Sequence, residues 1–213
     1  MTLLSRIARA ARLPAVTLVA ALAAVLIAAP ASRAADPAGA PLPTDMSLGS
    51  AKAKVTVIEY ASVMCPHCAR FNNNVFPAFK AKYVDTGKVR YTFREMLTPP
   101  AEVAAAGFMM ARCAGPSNYF KVVDAVFRSQ SDWEEGKIKP LFLAIAKDHG
   151  LTEAQFEACL TNQENMKAVN ARLKAALDAG VTSTPTFFVN GKKYEGEQSL
   201  DALDAAIAAA GKK

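Results

Sequence analysis

The sequence predicts an α/β domain with an α-helical subdomain inserted into it, and three observations carry that expectation. A short β-rich run, Val55-Thr-Val-Ile-Glu-Tyr60, leads into Cys65-Pro66-His67-Cys68 at the head of a helical segment. The stretch from Pro100 to Ala179 reads as helix almost throughout. Between Thr186 and Ala210 the chain closes on strand, turn, strand and helix. The order is β-α-β, a helical block, then β-β-α, with no internal repeat.

Composition agrees with a packed domain and narrows its partners. Of 213 residues, 52% are hydrophobic and 21% charged, which excludes a disordered chain. The net charge of +6 points to nucleic acid only until its source is located: Arg6, Arg9, Arg12 and Arg33 all precede residue 35. Without those four, 21 of the 25 basic residues face 19 acidic ones, and no basic run is interleaved with aromatics. A nucleic-acid partner is not expected.

The first element, residues 1–34, reads as a cleaved secretory signal. A cationic start ending at Arg12 precedes the uncharged stretch Leu13 to Pro30, and small residues at Ala29, Ala31, Ser32 and Ala34 offer cleavage sites. The alternative is an uncleaved membrane anchor, because the stretch approaches spanning length. Residues 35–50, rich in Pro, Ala and Gly, are expected to be a tail at the start of the mature chain.

The first α/β portion is expected over 51–98. Val55–Tyr60 is a strand, and the helix opened by Cys65 runs to about Tyr83 with a kink at Pro77, whose ring displaces a carbonyl one turn back. Lys88 to Arg94 alternates apolar and charged residues as a second strand. The helical subdomain occupies 99–180, with breaks at Gly115-Pro116, Ser131 to Gly136, Gly150 and Thr161, a capping box at Thr152-Glu-Ala-Gln155, and Gly180 suited to a left-handed helix end. The second α/β portion, 181–213, contains Thr186–Val189, an Asn190-Gly191 hairpin turn, Lys193-Tyr194 and a closing amphipathic helix.

Four cysteines follow the signal. Cys65 and Cys68 lie three residues apart at a helix start, so their side chains sit one above the other and can be bridged or opened with little backbone movement. The helix N-terminus supplies unsatisfied amide protons and the positive end of a dipole, which favour a thiolate on the first cysteine. Pro66 fits the first turn, where its missing amide proton costs nothing. His67, when protonated, places a further positive charge beside the sulfur. A structural zinc site would need two more ligands, and Cys113 and Cys159 lack paired spacing. A buried structural disulfide would not need an intervening histidine. A redox pair is the reading that uses every residue of the motif.

These residues carry a resemblance. Cys65-Pro66-His67-Cys68 after the strand Val-Ile-Glu-Tyr, with Thr184-Pro185 much later, resembles the thioredoxin superfamily and specifically its DsbA family of secreted thiol oxidases, over about three quarters of the chain. The resemblance implies a thioredoxin fold with an inserted α-helical subdomain, Cys65 as nucleophile, Cys68 as resolving cysteine and Pro185 as a cis-proline facing the pair. It implies that Glu59, six residues before Cys65, is a buried carboxylate beneath the site; desolvation on a central strand would raise its pKa and suit proton exchange with Cys68. It also implies that the Thr184 backbone can pair with a substrate chain as an added strand. Thr184 departs from the Val of the best-known oxidases and resembles the residue of disulfide isomerases and some reductases, which leaves the direction of electron flow open. If the first pair cycles, Cys113 and Cys159 remain for each other, and a bridge between them resembles a subset of DsbA proteins with an extra disulfide; the alternative is two buried thiols behaving as small hydrophobes.

Other residues have simpler readings. Met64 is an apolar rim for substrate rather than a Cu(I) ligand. His149 ends a helix, Trp133 packs in a loop, and Met109 and Met110 belong to the core. The expected function is a periplasmic thiol-disulfide oxidoreductase introducing disulfides into reduced, unfolded secreted proteins. It needs no metal or organic cofactor, and the resemblance implies reoxidation by a membrane quinone-linked thiol oxidase of DsbB type. The rivals are a periplasmic reductase or isomerase and, from another class, a copper- or zinc-binding thiol protein.

Overall fold

In a computed structural model, which describes residues 42, 44–134 and 137–212, five strands form one mixed sheet. They are β1 (Met46–Leu48), β2 (Val55–Ala61), β3 (Val89–Glu95), β4 (Thr186–Val189) and β5 (Lys192–Glu195), in the order β1-β3-β2-β4-β5. β2 is central, parallel to β3 and antiparallel to β4, which explains why its residues read as a nearly continuous apolar run rather than an alternation. The edge strand β5 is mostly exposed and carries Lys192, Lys193 and Glu195, charges that oppose edge-to-edge pairing. Asn190 and Gly191 both have positive φ, 44° and 83°, as a two-residue hairpin turn requires.

The expected signal, residues 1–34, lies outside the described residues, as does half of the expected tail. That tail needs one correction. Residues 46–48 are not tail but the edge strand β1, with Met46 opposite Phe93 and Leu48 opposite Tyr91. Three residues are too few to show a pattern in sequence, and the open edge of β3 supplies the pairing. Asp45 then forms a buried ion pair with Arg94, 2.9 Å between Oδ2 and Nη2.

The helices follow the sequence punctuation. α1 (Pro66–Asn74) ends at Val75, just before Pro77, and the chain continues as α2 (Phe76–Phe79) and a π-helical turn, Lys80–Val84. Between the two α/β portions lie α3 (Ala101–Cys113), α4 (Pro116–Arg128), a 3₁₀ turn (Ser129–Asp132), α5 (Ile138–Asp148), α6 (Glu153–Thr161) and α7 (Gln163–Asp178). Thr152 and Gln155 form the capping box, and Gly115, Gly150 and Gly180 take the left-handed conformation at the breaks. Ser199 caps α8 (Leu200–Ala210) through its hydroxyl, which accepts from the Ala202 amide.

Sheet alternation divides the core. Val57, Ala61, Tyr91, Phe93, Phe187 and Val189 pack with residues of α1 and the inserted helices, whereas Ile58, Tyr60 and Phe188 pack with Ala176 and Leu173 of α7. The insertion is tied to the sheet at the end of β3. There the buried Glu95 accepts from Arg112 Nε at 2.6 Å, from Tyr119 Oη at 3.0 Å and from Arg172 Nε, joining β3 to α3, α4 and α7. Gly107 of α3 allows the insertion to approach the loop before Cys65, since a Cβ there would stand 3.0 Å from a Val63 methyl. Met109 and Met110 are buried, as expected of core residues.

Candidate functional site

The loop between β2 and α1 brings Cys65 to the position just before the helix. Its backbone is extended, φ −85° and ψ 119°, while Pro66 occupies the first helical turn. Both Cys65 and Cys68 are buried and carry free thiols, so the structure shows the dithiol state. The Thr184–Pro185 peptide bond is cis and places Thr184 against the first cysteine, whose Sγ lies 3.4 Å from the Thr184 carbonyl oxygen. Pro185 is buried and Thr184 half-buried, so the Thr184 backbone stays reachable beside the sulfur.

The two sulfurs have opposite proton affinities. Cys65 is lowered from 9.0 to about 5, first by the hydrogen bond donated from Cys68, then, against the cost of burial, by bonds from the Thr184 hydroxyl and from the backbone amides of Cys68 and His67. Cys68 is raised well above 9.0, first by burial, then because its thiol is held by the Cys65 sulfur, and further by the charge of Glu59. One sulfur is therefore a thiolate at neutral pH and the other a thiol.

Glu59 lies on β2 and is 2% exposed. Burial raises it from 4.5 to about 8, opposed by a hydrogen bond from Tyr91 and reinforced by the charge on Cys65. A group of that pKa is divided between acid and carboxylate near neutrality, the condition for both giving and taking a proton.

The His67 imidazole is 61% exposed, with Nδ1 against Arg70 Nη2 and 3.4 Å from Glu197 Oε2. Helix geometry explains this, because position 67 points outward from the first turn while Arg70, three residues on, shares its face. His67 reaches the sulfur through its backbone amide. Met64 is half-buried against the core, and its amide donates to Ser62 Oγ at 3.2 Å.

Two site residues were not singled out from sequence. Tyr91 donates through Oη to Glu59 Oε2 at 2.5 Å. Gln130, in the 3₁₀ turn of the insertion, donates from Nε2 to the Val63 carbonyl at 2.6 Å and the Cys65 carbonyl at 3.4 Å, pinning the loop that carries the nucleophile. Tyr91 had a partial signal, as an inward position of an alternating strand; Gln130 had none, since it sits at the end of an expected helix, just before the break at Ser131. His149 ends α5, and Trp133 packs on Phe142 while its Nε1 donates to Ser129 Oγ.

Cys113 and Cys159 are bridged, with Cα atoms 6.3 Å apart. The bridge joins α3 to α6 among Ala105, Met109 and Val169. Among the described residues no group of three or more His, Cys, Asp or Glu stands together as a metal site.

A central strand running into a helix-capping dithiol, faced by a cis-proline before an antiparallel strand, defines a thioredoxin-type site. A family model described as Thioredoxin matches residues 42–209, and the chain belongs to that family. Within the family its likeness is to DsbA proteins: it is 33% identical to the crystal structure of α-DsbA1 from Wolbachia pipientis, with a TM-score of 0.74 over 81% of this chain and 94% of that one. It is 34% identical over 166 residues to a Rickettsia bellii protein named as a protein-disulfide oxidoreductase, covering 76% of this chain and 63% of that protein. A Bacillus anthracis protein named for disulfide bond formation is 28% identical, with 77% of each chain covered. The chain spans about three fifths of the length of the Rickettsia relatives.

Proposed function

We propose that this protein is a DsbA-type thiol:disulfide oxidoreductase that introduces disulfides into exported proteins. The observation that carries the reading is the split between the two sulfurs. Whatever stabilises Cys65 as a thiolate stabilises the dithiol relative to the disulfide, which makes the disulfide a stronger oxidant. In the oxidised protein a client thiolate attacks Cys65 Sγ. The Cys65–Cys68 bond breaks, and Cys68 leaves as a thiolate that takes a proton from the Glu59 carboxylic acid. A second client thiolate then attacks the client sulfur of the mixed disulfide, releasing the client disulfide and Cys65 as a thiolate. Two electrons pass from the client to the enzyme.

The client chain would lie along the Thr184 backbone beside the cis peptide, pairing as an added strand, with Met64 as an apolar rim. Pro66 holds the first turn in place for the amides that face the sulfur. The clients are reduced, unfolded secreted proteins, and reoxidation falls to a membrane quinone-linked thiol oxidase of DsbB type. Export follows from residues 1–34 as a cleaved signal, giving a periplasmic protein that starts between about Ala31 and Pro37. Among the described residues no helix is long and apolar enough to cross a membrane.

The test is the equilibrium of the Cys65–Cys68 pair with glutathione, read by mass after acid quenching and alkylation. An oxidase gives a potential well above the roughly −270 mV of thioredoxin. A value near thioredoxin's would favour the reductase, a direction that Thr184 permits. Cys65→Ser abolishes exchange in the same assay, and Cys68→Ser accumulates the mixed disulfide.

A further inference from the structure

Glu59 does not act alone in the interior. The parallel register sets Val57 opposite Tyr91 and Glu59 opposite Phe93, so Glu59 and Tyr91 stand two positions apart on the same face of adjacent strands. Tyr91 is 3% exposed, and its Oη donates to Glu59 Oε2 at 2.5 Å. Its ring is held by Phe76 at 4.7 Å and Phe79 at 6.0 Å between centroids. Neither neighbour offers an acceptor that would draw the hydroxyl away. The titratable groups that face this pair are Cys65 and Cys68 from the head of α1 and Tyr119 from α4.

We propose that Tyr91 is a positioning residue for the exchange reaction: its hydroxyl holds the Glu59 carboxyl toward the cysteine pair and selects the ionised form that accepts the Cys68 proton. The proposal rests on the reading of Glu59 as the proton relay. Its consequence falls unequally on the two halves of the cycle. During reoxidation the Cys65 thiolate attacks the oxidant's disulfide and forms a mixed disulfide. Cys68 must then lose its proton to the Glu59 carboxylate and attack Cys65 Sγ, expelling the oxidant's thiolate as the Cys65–Cys68 bond forms. An O–H donor stabilises a carboxylate more than a carboxylic acid, so removing it leaves less carboxylate at neutral pH. The client-oxidation half uses the protonated acid and suffers less.

The experiment measures resolution of the Cys65–glutathione mixed disulfide in the mature protein by quenched flow from pH 5 to 10, with oxidised glutathione as the probe. In Tyr91→Phe, which keeps the ring packing, the midpoint moves up by about one unit and resolution at pH 7 slows about tenfold. Difference infrared of the Glu59 carboxyl, assigned by Glu59→Gln, shows the same upward displacement of its titration. A Tyr91→Phe profile that superimposes on the wild type, while Glu59→Gln flattens the pH dependence, overturns the role of Tyr91 and leaves the relay standing. A Glu59→Gln protein with an unchanged profile overturns both.

Discussion

The chain holds two cysteine pairs in different states, Cys65 and Cys68 free and Cys113 and Cys159 bridged, and their surroundings differ as well. Cys65 and Cys68 lie within one turn at the head of α1, where closing a bridge restricts almost no chain and the environment favours one thiolate. Cys113 and Cys159 are 46 positions apart on α3 and α6, packed among Ala105, Met109 and Val169, with the Asn165 side-chain amide against both sulfurs. Closing that loop removes much entropy from the unfolded chain. Redox activity follows from stabilising the reduced state, and permanence from destabilising the unfolded one.

The largest expected effect is on the structural pair. Replacing both Cys113 and Cys159 with alanine should lower stability by about 4 kcal/mol, the loop entropy of a 46-residue bridge. Urea unfolding measures it, and the glutathione equilibrium of the other pair should stay within error. A displaced equilibrium would break the comparison, because it would mean that the bridge sets the reactive site.

A middle-sized effect sharpens the other side. Cys65 is depressed to about 5 in the folded dithiol form against 9.0 for an unperturbed thiol. Its contribution to stability is therefore fully present above the unfolded value and lost as pH falls through about 5. Glu59, raised to about 8, contributes with the opposite slope between 4.5 and 8, but it is present in both redox forms. Urea midpoints of the dithiol protein minus those of the disulfide protein should rise from pH 5 to pH 9. A flat difference would remove the thiolate from the explanation.

The smallest effect concerns His67. Its side chain is 61% exposed and faces Glu197 and Arg70, so charge on it is screened and partly compensated. His67→Ala should raise the Cys65 absorbance midpoint by only about half a unit and make the potential slightly more reducing. A shift of two units would show that the imidazole turns toward the sulfur in solution.

The site was legible in sequence to different depths. The Cys-Pro-His-Cys motif showed a cysteine pair at a helix start because strand, turn and helix start are all local, and Pro66 is placed by rules that act within one turn. Glu59 and Thr184-Pro185 were named only through likeness to a family, since nothing in the adjoining residues says that β2 is central or that a peptide 119 positions on from Cys65 returns to face it. The Cys113–Cys159 bridge stood between resemblance and elimination. Gln130 was invisible because it lies next to a break whose only local message is that a helix has ended.

By itself the sequence determined the order of elements after β1, the helix punctuation at Pro77, Gly115, Thr152 and Gly180, and the placing of Cys65 and Cys68 at a helix start. All of these follow from backbone sterics and short-range hydrogen bonding. Tertiary structure decided the rest. The sheet order put Glu59 in the middle of the molecule, where burial raises its pKa to about 8, and the β2–β3 register put Tyr91 against it rather than a pair of apolar side chains. Helix rotation turned His67 out to solvent. Desolvation and long-range contact depend on which surfaces meet, and a linear chain does not carry that information until the sheet has formed.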